Sequence, residues 1–132
     1  MSMLVESLLQ ASTKPTQPSS GLHILSNIES VRTDRTLQFE PFKRFVCQAV
    51  RQIQLNQVGE AWHNFDGGGF TGVLCLAESH LSIHTWPHNH YLTFDIYLSN
   101  HSTDNSGKAR LLYKQVLEFF EAAVIQENYI QR

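Results

Sequence analysis

The chain has 132 residues, 42% hydrophobic and 17% charged, with a formal net charge of -2. That length fits one domain with a single core that needs no covalent staples. The near-neutral balance excludes nucleic acid and anionic membrane surfaces as expected partners.

Cys47 and Cys75 lie in apolar contexts without metal-type spacing, and read as thiols in a reducing compartment. No apolar run approaches the roughly 20 residues a spanning helix needs. The first residues lack a basic signal-peptide region, so a cytoplasmic location is expected.

Residues 1–20 read as a flexible N-terminal extension, with Ser12 to Ser20 a polar, proline-containing linker. Residues 21–132 read as one domain. Leu22 to Leu25 is a first strand. Pro41 opens a helix in which Phe42, Phe45, Val46, Ala49, Val50 and Ile53 share one face. Gln57 to Phe65 and Phe70 to Ala77 read as strands joined by the glycine loop 66–69. That loop precedes a strand and lacks a following Lys-Ser/Thr, so it is not a phosphate loop.

His80 to Trp86 and Tyr91 to Ser99 are the next strands, with Pro87 to His90 turning between them. Their alternation puts Leu81, Ile83, Leu92, Phe94, Ile96 and Leu98 on one face. The opposite face is expected to gather His84, Asp95, Tyr97 and Ser99. Asp104, Asn105 or Ser106 caps a last helix whose stripe is Ala109, Leu112, Val116, Phe119, Phe120 and Ala123. The expected fold class is α+β: a two-layer sandwich, its sheet largely antiparallel, with two helices packed on one face.

Ala77 to Pro87 concentrates the chemistry. Four histidines fall between positions 80 and 90. His80 and His84 stand about 13 Å apart along a strand, too far to share an ion. His88 and His90 can chelate from the turn, but an exposed turn is the simpler reading, and no metal is expected. A serine hydrolase wants its nucleophile on a strand-to-helix elbow, whereas Ser79 has strand on both sides. A third reading is self-cleavage. Ser79 attacks the Glu78 carbonyl, the acyl group moves from nitrogen to oxygen, and loss of the serine Cα proton leads to a pyruvoyl end. That chemistry needs donors on the carbonyl and a base, for which Thr71 and His84 are candidates.

The string Ala-Glu-Ser-His-Leu-Ser-Ile-His-Thr-Trp-Pro (77–87), with Phe70-Thr71-Gly72-Val73 before it, closely resembles the processing region of the prokaryotic S-adenosylmethionine decarboxylases. Gly21 to Leu25 resembles that family's first strand, and Asp95-Ile96-Tyr97 its aspartate-containing strand. The resemblance implies a proenzyme that cuts itself between Glu78 and Ser79 and turns Ser79 into a pyruvoyl cofactor. That group takes the substrate amine as a Schiff base and acts as electron sink, the role of PLP elsewhere. It implies His84 as the base for the serine Cα proton, Thr71 in place of a processing serine, and a homodimer.

Two positions depart from the family. Ser99 stands where the family has a proton-donating cysteine, and a hydroxyl is a far weaker acid than a thiol of pKa about 8.5. His88 stands where a glutamate binds the ribose hydroxyls, so His88 and Asp95 are the expected substrate contacts. The leading expectation is a pyruvoyl-dependent decarboxylase acting on S-adenosylmethionine in spermidine synthesis, with Ser79, His84 and Ser99 catalytic. Alternatives are a pyruvoyl decarboxylase of ornithine or arginine, or a non-catalytic homologue serving as a regulatory or partner subunit.

Overall fold

A computed structural model describes residues 20–101 and 103–132. The expected N-terminal extension, all but Ser20, lies outside the described residues. Six antiparallel strands form one sheet: β1 (Leu22–Glu29), β2 (Gln57–Asn64), β3 (Phe70–Leu76), β4 (Ser79–Trp86), β5 (Tyr91–Leu98) and β6 (Ala123–Gln131). Their spatial order is β2-β3-β4-β5-β1-β6. Among the described residues three α-helices accompany them: the single turn α1 (Thr33–Thr36), α2 (Phe39–Gln52) and α3 (Ser106–Phe119). No helix among the described residues is long and apolar enough to cross a membrane.

Period-two alternation decides which face the helices cover. Leu22, Ile24, Ile28, Phe70, Leu74, Leu81, Ile83, Leu92, Phe94 and Ile96 are all buried. Against them α2 turns Phe42, Val46, Ala49 and Val50, and α3 turns Ala109, Leu112, Tyr113 and Val116. Phe42 stacks on Phe120, with ring centroids 5.5 Å apart. The other face is open, and carries the polar members of each strand.

Two expectations need correction. The stripe assigned to the last helix ran on to Ala123, but Ala123 is exposed and starts β6. The helix ends at Phe119, and Glu121 takes a left-handed φ of 47° that turns the chain. Ala123 fits the helical spacing by coincidence, while Val124, Ile125, Tyr129 and Ile130 are strand formers. The one-turn helix α1 lies in a stretch that read as a polar loop, so a third, minor helix joins the two expected. The Asp104 carboxylate accepts the Ser106 N–H at 2.9 Å, whereas Asn105 is engaged elsewhere.

Candidate active site

The β3–β4 turn is two residues long, Ala77 and Glu78, and β4 begins on Ser79 itself. Ser79 has a φ of 153°, a region that only glycine enters without strain. Such a residue costs about 1–3 kcal/mol and persists only where its surroundings hold it. They do so on both sides. Asn56 donates its backbone N–H to Glu78 Oε1 at 3.1 Å and its amide to Oε2 at 3.0 Å. Its carbonyl accepts the Ala77 N–H at 2.8 Å.

The Glu78 carbonyl is the acyl group that Ser79 would attack. It accepts the Ser99 N–H at 2.9 Å and the Ser99 hydroxyl at 3.0 Å. Ser99 is fixed in turn, because its carbonyl accepts the Asn105 amide at 2.8 Å. The Ser79 hydroxyl lies 3.1 Å from His80 Nδ1.

His84 does not join this group. It sits five residues further along β4, roughly 16 Å by strand rise, where it pairs in register with Thr71 and Thr93. Its Nδ1 is hydrogen-bonded to the Thr71 hydroxyl at 2.6 Å. The expectation that His84 meets Asp95 and Ser99 therefore needs correction: the open face is shared, but Asp95 stands opposite Ser82 and Ser99 lies past the strand's far end. Within one chain, His84 is out of reach of the Ser79 Cα proton.

The Thr71–His84 pair lies between two hollows. One, of about 400 Å³, includes Phe65, Trp86 and His88 in its wall. The other, of about 330 Å³, is lined by Trp62, His63 and Ser82. Gly69 closes the β2–β3 loop beneath the first with a φ of +98°, and a Cβ there would stand 2.9 Å from the Thr85 carbonyl. His88 Nε2 donates to the Gly67 carbonyl at 2.8 Å, so this imidazole ties the loop to the turn after β4.

Asp95 occupies the middle of the face. It accepts from the Ser82 hydroxyl and from His23 Nε2 at 2.9 Å, and His80 Nε2 lies 3.5 Å from the same oxygen. Arg132 donates to His23 Nδ1 at 3.1 Å, which leaves the His23 proton on Nε2. The ligand atoms of His23, His80 and Asp95 fall within 4.8 Å of one another, the spacing a metal ion uses. The Arg132 guanidinium beside them opposes a cation.

Sequence reasoning missed His23, Asn56, His80 and Asn105 as site residues. His80 was adjacent to the serine and on the open face by alternation. His23 becomes visible only once β1 is known to lie beside β5, and the asparagines act from turns that no periodicity reports.

A family profile described as S-adenosylmethionine decarboxylase matches residues 22–132. The S-adenosylmethionine decarboxylase proenzyme of Aquifex aeolicus (strain VF5) is 39% identical over 77 residues, which is 58% of this chain and 57% of that relative's length. The proenzyme of the same name from Archaeoglobus fulgidus is 31% identical over 112 residues, 85% of this chain and 96% of its own. The crystal structure of the adenosylmethionine decarboxylase from Aquifex aeolicus VF5 is similar with a TM-score of 0.71 at 27% identity, covering 88% of this chain and 91% of that one. A likeness that runs from the first strand through the last, and includes the strained serine turn, makes this chain a member of the S-adenosylmethionine decarboxylase family.

Proposed function

We propose that this chain is a self-processing decarboxylase that cuts itself between Glu78 and Ser79 and uses the resulting pyruvoyl group. The observation that carries this reading is the strained Ser79, preceded by a carbonyl that already accepts two hydrogen bonds. Strain in the peptide is relieved when its bond to nitrogen breaks, and donors on the carbonyl favour the charge that develops there. The chain's own residues thus fit formation of the group from Ser79. Once formed, a pyruvoyl carbonyl supplies an electron sink for loss of CO2 from a substrate that bears an amine.

His84 and Thr71 serve the Ser79 of a second copy. Five residues of strand separate His84 from its own Ser79, and the pair lies exposed on the open face of the sheet. Two copies stacked through these faces bring one chain's His84 toward the other's serine, where it takes the Cα proton. The functional unit is therefore a homodimer. The free Cys47 and Cys75 fit a cytoplasmic setting, and burial pushes the Cys47 thiol up, away from acid chemistry.

S-adenosylmethionine is the first substrate to test, as a step toward spermidine, with Asp95 and His88 the substrate contacts. A second reading, decarboxylation of ornithine or arginine, is favoured by His88. An imidazole tied to the Gly67 carbonyl is no substitute for a carboxylate that accepts from ribose hydroxyls. Denaturing mass spectrometry of the purified chain tests the reading. Two fragments divided at Ser79, the later one carrying a pyruvoyl end, are expected. A single intact mass after prolonged incubation would refute self-processing and leave the non-catalytic homologue. Release of labelled CO2 from S-adenosylmethionine, ornithine and arginine then ranks the substrates.

A further inference from the structure

The first bond change at Ser79 needs a group to take the hydroxyl proton and a group to hold the carbonyl oxygen as it gains charge. Both stand within one chain. The Ser79 hydroxyl is 3.1 Å from His80 Nδ1, and the other nitrogen of that ring faces Asp95 Oδ2 at 3.5 Å. Asp95 is itself held by His23 and Ser82. On the far side of the scissile bond, the Ser99 N–H and hydroxyl both donate to the Glu78 oxygen, at 2.9 and 3.0 Å. Asn105, only 4% exposed, fixes Ser99 through its carbonyl.

We propose that His80 and Ser99 are the catalytic pair for the acyl shift that opens self-cleavage, with Asp95 as the positioning residue behind His80. The proposal rests on the self-processing reading above. The Ser79 hydroxyl gives its proton to His80 Nδ1, and Oγ bonds to the Glu78 carbonyl carbon. The carbonyl electron pair moves onto the Glu78 oxygen, held by the two Ser99 donors. The carbon–nitrogen bond then breaks, and the Ser79 nitrogen takes the proton back from His80. The product is an ester between Glu78 and Ser79 Oγ with a free amine on Ser79, so atoms and charge balance without a co-reactant.

This reassigns Ser99. A hydroxyl is a poor acid beside a thiol, but a much better hydrogen-bond donor than an S–H group. Serine at this position weakens the chain as a proton source and strengthens its grip on the developing oxyanion. In the uncut chain the hydroxyl is already engaged on the atom where that charge appears.

The full chain is refolded and its mass followed over time for wild type, Ser99→Ala, Ser99→Thr and His80→Gln. Hydroxylamine added in parallel traps the ester. Loss of one oxyanion donor slows such a step by about 100-fold, because the backbone N–H remains. Loss of the base slows it by a factor on the order of 100. Ser99→Ala and His80→Gln are expected to accumulate ester and fragments that much more slowly, at unchanged melting temperature. Ser99→Thr, which keeps the hydroxyl, is expected to recover most of the rate. Cleavage of Ser99→Ala and His80→Gln at the wild-type rate would overturn this proposal and leave self-processing intact. Ser99→Thr as slow as Ser99→Ala would overturn the hydroxyl's role, and an intact wild-type chain would end self-processing and this proposal together.

Discussion

At the Ser79 end of β4, the strained peptide, a hydroxyl, an imidazole and two carbonyl donors all come from one chain. Toward the other end, His84 and Thr71 form a hydrogen-bonded pair with aromatic side chains around it, five residues from Ser79 along the strand. The difference is one of completeness. The first end holds every group its proposed step needs; under the same proposal, the outward-facing histidine of the second meets its target on a partner copy. In that proposal one strand carries both Ser79 and His84, five residues apart along its eight.

The sharpest break between the two ends is Ser79→Ala, which removes the nucleophile. No fragment is expected from it, and a chain that still divides before position 79 would remove the serine from its assigned role. Next comes mixing. Ser79→Ala and His84→Ala chains, each unable to form a pyruvoyl end alone, are co-refolded. A pyruvoyl-terminated fragment is expected from the His84→Ala chain only, because its intact serine meets the partner's His84. No pyruvoyl-terminated fragment on mixing, with His84→Ala still unprocessed, would return the proton transfer to a single chain. Asn56→Ala tests the clamp at the first end more gently. It removes the exposed amide bond to Glu78 Oε2 and keeps the backbone one to Oε1, a loss worth about 1 kcal/mol, seen as a slowing of cleavage by roughly fivefold. An unchanged rate would show that the Asn56 amide is not needed to hold the strained turn.

Much of this was legible in the sequence. Strand alternation between His80 and Leu98 set the buried and open faces, and helical spacing found the α2 stripe, with Phe42, Val46, Ala49 and Val50 buried. The candidate serine and its neighbours stood out as a local string. What remained hidden was of two kinds. Distance along a strand is simple arithmetic, yet the grouping of His84 with Ser99 ignored it, since sharing a face is not the same as sharing a place on it. Contacts between elements far apart in sequence were hidden for another reason. His23 with Asp95, Asn56 with Glu78 and Asn105 with Ser99 depend on strand order and on turns, where no period reveals which side chain faces which. β6 escaped because Ala123 continued a helical stripe that Glu121 had already ended.

The strand order bears on what a cut at Ser79 would leave behind. The earlier piece would own β1, β2 and β3, and the later piece β4, β5 and β6. These do not separate into two blocks, because β1 lies between β5 and β6 while β3 borders β4. The pieces would interlock along three seams, and the Gly21–Arg132 backbone pair would latch the outermost one. Severing the chain would change its connectivity without loosening its body. The divided protein would behave as two subunits that had never met as strangers, and pulling them apart would mean unzipping half the sheet.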